Sequence, residues 1–200
     1  MKILSPRTTG SPLNSVKTTA PLAALLLCAT IALGHGSHRA GETRNRLPHI
    51  PAGLEVPAGN EHSAHATGVG VQIYVWTINP ANPALASWVF KAPHAVLFAG
   101  HEDEREDLTG IHFAGPNWQA NDGSKVAGAK VAAVTVNSNA IPWLLLKATS
   151  TSAAGTFSGI TFIHRLNTLG GLAPTAPGQT AGEELLVPYI ADYYFYHAKE

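Results

Sequence analysis

The residues best suited to chemistry crowd onto one short stretch, His112-Phe113-Ala114-Gly115-Pro116-Asn117-Trp118, followed by Asp122-Gly123-Ser124. Gly115-Pro116 forces a turn, which returns the strand end holding His112 towards Trp118 and Asp122. An imidazole, an indole and a carboxylate at one edge would make a platform for a carbohydrate or another small polar ligand. The aromatic face would stack while Asn117 and Asp122 orient hydroxyls. A plainer reading competes and carries more weight. Asp122-Gly123 is a hairpin signal, Trp118 a core anchor and His112 a satisfied strand histidine. Arg165, in His164-Arg165-Leu166-Asn167-Thr168 before Gly170-Gly171, stands at the end of another candidate strand. Its guanidinium could clamp a carboxylate or phosphate. The favoured alternative is an ion pair with Asp122, Asp192 or a loop acid.

Histidine is abundant: ten in 200 residues, nine of them beyond residue 37. Imidazoles and carboxylates could hold Zn or Cu. His62 and His65 form the one close pair, and His94, His112 and His164 are the candidate ligands inside the domain. None of these spacings is a recognised triad, so no cofactor or metal is predicted, with a Zn or Cu site as the minority alternative. The run His101 to Asp107 (HEDERED) has oxygen ligands for Ca²⁺ but lacks the acid-and-glycine order of an EF-hand, and reads as a solvated hairpin tip. Ser124, His112 and Asp122 could be drawn as a hydrolytic triad, but no G-x-S-x-G elbow positions the serine. Paired carboxylates for glycosidic chemistry are absent from the apolar strands.

The elements that must carry these residues begin after a leader. Lys2, Arg7 and Lys17 form a basic, acid-free start, Pro21 to Leu33 is apolar, and Ala32-Leu33-Gly34 offers small residues for a signal peptidase. Residues 1–34 are therefore expected to be a cleaved signal peptide, giving a secreted or periplasmic protein with no membrane span after cleavage. Cys28, the only cysteine, lies in the apolar run, so the mature chain would hold no thiol. Cleavage leaves ten basic against thirteen acidic side chains, a formal balance of −3. That balance argues against nucleic acid as a partner.

Residues 35–66 are polar and broken by Pro48, Pro51 and Pro57, and read as a flexible segment that becomes ordered near Leu54 or Val56. Residues 67–200 read as a single β domain. In Val69 to Ile78, Val69, Val71, Ile73 and Val75 alternate with Gly70, Gln72, Tyr74 and Trp76, a strand with one very apolar face expected to point at the core. Further strands are expected at 88–91, 96–98, 110–113, 126–137, 143–148, 157–166 and 187–196, with a one-turn helix near 84–87. Alternation puts Tyr194 and Tyr196 on one face of the last strand and Tyr193 and Phe195 on the other. About eight short strands predict an all-β fold, an antiparallel β-sandwich or closed β-barrel. A mixed α+β fold, with 129–134 or 144–147 helical, is the alternative.

The segments GVGVQIYVW (68–76), FKAPHAVLF (90–98), GIHFAGPNWQANDGSKVAG (110–128), IPWLLLKA (141–148), FIHRLNTLGGLAP (162–174) and VPYIADYYFY (187–196) together resemble the DUF3455 family. The likeness runs from about Leu54 to Tyr196. It implies a compact extracytoplasmic domain of bacterial and fungal proteins and says little about chemistry. Many relatives carry two cysteines, plausibly a disulfide; Trp76 and the Pro177-Gly178 region stand here instead. Some fungal relatives carry a malate dehydrogenase label, which this chain does not support. Gly68 and Gly70 give only a G-x-G inside a strand, without the third glycine that opens a helix in a dinucleotide site.

The sequence thus favours a non-enzymatic, extracytoplasmic binding or surface-associated module for a small polar or carbohydrate ligand, held near His112, Asn117, Trp118, Asp122 and Arg165. A His-ligated Zn or Cu enzyme and a purely structural envelope or interaction protein are the alternatives.

Overall fold

The strand alternation sorts residues as expected but points them the other way. In the computed structural model, which describes residues 47–100 and 106–200, Gln72, Tyr74 and Trp76 are buried, whereas Val69 is 40% exposed and Val71, Ile73 and Val75 are half-covered. The reason is closure. Eight antiparallel strands form one barrel in chain order, with the last paired to the first. They are β1 (Asn60–Thr77), β2 (Ser87–Gly100), β3 (Glu106–Phe113), β4 (Asn117–Ala120), β5 (Lys125–Val134), β6 (Trp143–Ser152), β7 (Ile160–Gly170) and β8 (Glu184–Ala198). An eight-stranded barrel has room inside only for side chains that interlock. Small residues and a few large rings fill it, and the branched residues of β1 are left outside. Ile111, Val96, Val69, Ile190 and Leu169 run side by side across the outer surface of five strands.

The all-β expectation holds, and of its two forms the barrel is the one formed. No α-helix occurs among the described residues; the short helix expected near 84–87 is a 3-10 turn at Pro83–Leu85. Three expectations are corrected. Residues 88–91 and 96–98 belong to one strand, β2, because Pro93 sits beside an irregularity at Ile73/Tyr74 and does not interrupt pairing with β1. Asn117–Ala120, read as part of a turn-and-ligand segment, is the strand β4. Strand structure begins at Asn60, inside the segment expected to be flexible to residue 66, because β1 is long enough to pair along the whole of β8. The expected leader with Cys28 and most of the acidic run, His101 included, lie outside the described residues.

The interior is graded along the barrel axis. Towards the end holding the β4–β5 and β6–β7 connections Trp118, Val126, Phe157, Ile163 and Phe195 pack together in one buried cluster. Gly68 leaves room for the Tyr193 ring, where a Cβ would sit 2.6 Å from Cε2. Gly70 lies closer still to its neighbour, and a Cβ there would meet the His94 carbonyl oxygen and the Ala95 backbone. Outside, Tyr194 and Tyr196 pack with Leu166, Trp143 and Phe162 under Leu47, Ile50 and Val56. The aromatic strand β8 is thus buried on both faces, one by the barrel and one by the chain that precedes β1.

These two environments predict opposite sensitivities. Gly70→Ala should lower the urea midpoint, costing about 1–3 kcal/mol because backbone must move to admit the methyl group. Val69→Thr, on the open outer face, should shift stability by about 0.5 kcal/mol at most. Equal costs for the two would contradict the assignment of faces.

Candidate functional site

At the other end of the barrel the packing stops and a cavity of about 570 Å³ opens. Its wall combines Gln72 and Tyr74 (β1), Phe90, Lys91 and Pro93 (β2), His112 (β3), Trp118 (β4), Lys130 and Ala133 (β5), Leu144 and Leu146 (β6), Arg165 (β7) and Tyr193 (β8). Three connections meet it or brace it. Gly115-Pro116 forms part of the wall, as do Ile141 and Pro142 from the β5–β6 connection. The β7–β8 connection is tied down where Tyr74 Oη donates to Gly171 O (2.7 Å) and Trp88 Nε1 to Ala176 O (2.9 Å).

His112 and Trp118 are directly opposed on β3 and β4, and their rings stack at 4.3 Å with a 10° angle between planes. The sequence expected this approach. The stack is the reverse of a ligand platform, however: Trp118 is almost wholly buried, with His112 over one face and Gly128 packed against the ring. His112 Nδ1 donates to Asn117 O (2.8 Å), which fixes the tautomer and leaves Nε2 as an acceptor. Burial pulls the ring's pKa down to about 3, only partly offset by the Asn117 carbonyl. Asn117 serves the turn: its Nδ2 donates to Ala114 O beside Gly115, whose φ is +112°.

Arg165 is the largest departure from expectation. Neither Asp122 nor Asp192 pairs with it. Asp192 lies on the outer face of β8, accepting from Thr67 Oγ1 (2.8 Å) and Asn167 Nδ2 (2.9 Å), with His65 Nε2 at 3.5 Å. The Arg165 side chain points inward, and Nε and Nη2 donate to Pro142 O at 3.2 and 2.9 Å. Nη1 has no partner among the described residues and, unlike the sealed Gln72 and Trp118 nitrogens, is not enclosed on the cavity wall. The phenols beside it supply no compensating charge. Burial raises the pKa values of Tyr74, Tyr189 and Tyr193, and Tyr189 and Tyr193 bond to each other at 3.1 Å.

Asp122 is remote from all of this. It sits at the packed end, where Ser124 N and Oγ donate to Oδ1 (2.8 and 2.6 Å) and Thr156 N and Oγ1 to Oδ2 (both 2.8 Å). The Ser124 hydroxyl, the Thr156 amide and the other two donors hold its carboxyl well below the usual carboxylate range. Ser124 Oγ in turn accepts from the buried Phe157 N–H at 3.0 Å. This cluster pins the plug that closes the barrel. It makes no contact with His112, so the drawn triad is not assembled.

The histidines considered as metal ligands are dispersed. His94 lies on the exposed outer face of β2 and His112 inside the barrel. His164 is outside β7, between Leu54 O (2.6 Å to Nε2) and Tyr196 Oη (2.9 Å to Nδ1). His62 and His65 flank the Tyr194 ring instead of converging on one point. No group of three or more potential ligands is clustered among the described residues.

Of the residues singled out from sequence, His112, Trp118 and Arg165 line the cavity and Asn117 and Asp122 do not; Gln72, Tyr74, Lys130 and Tyr193 line it without having been singled out. The available signal was the inward period of β1: once Gly68 and Gly70 face the interior, Gln72 and Tyr74 must follow them.

Fold and cavity define a closed, up-and-down, eight-stranded antiparallel β-barrel with one end packed and the other hollow. By sequence the chain belongs to the DUF3455 family, described as proteins of unknown function, matching it over residues 57–197. No curated protein and no solved structure matches the chain.

Two outcomes test these assignments. Ser124→Ala should cost about 1–3 kcal/mol, since it strands the Phe157 amide, while leaving the hollow end intact by NMR shifts. Because the folded-state pKa of His112 is depressed, its contribution is retained above the unfolded value near 6.5 and lost as pH falls towards 3. Each pH unit in that window should cost about 1.4 kcal/mol from this residue. Chemical denaturation across pH 3–7 should show a shallower slope in His112→Gln than in the wild type; parallel slopes would remove His112 from that role.

Proposed function

We propose that this protein is an extracytoplasmic, non-catalytic binding module whose barrel cavity takes a small polar ligand. The observation that carries the reading is the hollow end itself. Its volume lies in the range of small-molecule sites, and its wall is mostly apolar and aromatic with a few polar groups that converge. Large buried side chains, Trp118, Phe157, Ile163 and Phe195 among them, cluster towards the other end of the same barrel, so the hollow half reflects where large residues are placed. A binding role fits the titratable groups better than catalysis does. His112 is committed to Asn117, the Asp122–Ser124 pair to the plug, and His164 to Leu54. The extracytoplasmic part rests on the basic, then apolar, then small-residue pattern of residues 1–34.

A screen of small aromatic and polar fragments by ligand-observed NMR should find saturable binders that compete for one site. Ala133→Trp, which places a bulky ring at the exposed rim of the cavity, should reduce their affinity by about tenfold or more with the fold retained. Competing binders unaffected by this substitution, or no binders at all, would refute the cavity as the functional site.

A further inference from the structure

The cavity carries charge as well as volume, and the charge has one sign. Arg165 reaches it from β7 with Nη1 unpartnered, and Lys130 stands at its edge with no acid beside it among the described residues. Lys91 also contributes to the wall, but its ammonium is paired outward with Glu184. Among the described residues no aspartate or glutamate is part of the wall. Gln72 Nε2 and Trp118 Nε1 also lack an acceptor, but both atoms are sealed from the cavity and do not bear on what it holds. The Gln72 amide lies near enough to the Tyr189 hydroxyl to influence its ionisation, but makes no bond of normal geometry to it. A guanidinium removed from bulk water without a counter-charge is costly. An anion in the cavity supplies that counter-charge.

Building on the cavity-binding reading above, we propose that the ligand is an organic carboxylate: its carboxylate seated on Arg165, its aryl or alkyl body among Tyr74, Phe90, Ile141 and Leu144. A carboxylate fits better than a phosphate because one guanidinium edge is on offer and the remaining wall is mainly apolar. Lys130 at the rim draws the anion in and contributes through its field.

The test uses matched acids and neutral amides on the intact protein: benzoate against benzamide, and 2-naphthoate against 2-naphthamide, with inorganic phosphate as a further arm, all by titration calorimetry. The wild type should bind at least one acid about tenfold tighter than its amide, with affinity falling as salt rises. Arg165→Gln should bring the ratio close to one, and Arg165→Lys, which keeps the charge but not the fork, should fall between. Lys130→Gln should weaken the acid only slightly and flatten the salt dependence. If Arg165→Gln does not fold, the wild-type acid-to-amide ratio and its salt dependence decide. Equal affinity for acid and amide, with both displaced by Ala133→Trp, would overturn the carboxylate assignment and leave the cavity reading standing. Phosphate binding tighter than either acid would also overturn it. Absence of binding by every probe would bring down the inference together with the reading beneath it.

Discussion

The pairing of β8 back onto β1 is the constraint from which the rest follows. Once fifteen residues of β1 align with β8, the interior has a fixed width, and each inward position must be chosen for volume before polarity. Gly68 and Gly70 in β1, Gly110 in β3 and Gly128 in β5 are the narrow side of that bargain; Trp118, Tyr193 and Phe195 are the wide side. Where a ring faces a glycine, the barrel is solid. Towards the hollow end the inward positions of β1 pass from Gly70 to Gln72 and Tyr74, with no opposing run of large apolar side chains, and the space between the walls is left open.

That arrangement explains how a guanidinium comes to lie inside a barrel. Arg165 pairs in register with Leu144 on one side and Tyr193 on the other, so its backbone position is dictated by the ladder, and inward alternation does the rest. The Pro142 carbonyl, exposed by the connection that precedes β6, satisfies two of its donors. It cannot neutralise the charge, because a carbonyl supplies a dipole and not a counter-ion. The positive field in the hollow end is consequently a property of the fold with its side chains in place, and not of a mobile surface residue.

Much of this was legible in the residues. Turn chemistry and period-two runs pointed to an all-β domain, although the count of eight agrees only because two expected runs merge in β2 while β4 was not expected; the aromatic residues on both faces of Tyr193 to Tyr196 were also visible. The direction of β1 was not legible. Val69, Val71, Ile73 and Val75 look more like a core than Gly68, Gly70, Gln72 and Tyr74 do, and only closure, a long-range property, reverses the preference. The same limit governed the site. His112 and Trp118 are six apart across one turn, so their contact could be inferred locally. The separation of Asp122 from them, and the lack of an acidic partner for Arg165 among the described residues, depend on which end of the barrel each strand terminus reaches.

The two ends also differ in how they respond to protons, and the difference bears on what the hollow end can hold. Asp122 at the plug stays ionised through its four donors, and its charge is spent on closing the barrel. His112, inside, is kept neutral by burial and by the nearby Arg165 charge, against the opposing pull of the Asn117 carbonyl, while the Asn117 side chain fixes the Gly115-Pro116 rim. Burial therefore keeps a second positive charge out of the cavity until strongly acidic pH. The neighbouring phenols, raised by burial, do not ionise to offset Arg165 either. Across the neutral range neither His112 nor the neighbouring phenols alter the charge that Arg165 brings to the hollow end, so these groups add no pH dependence of their own to what it holds.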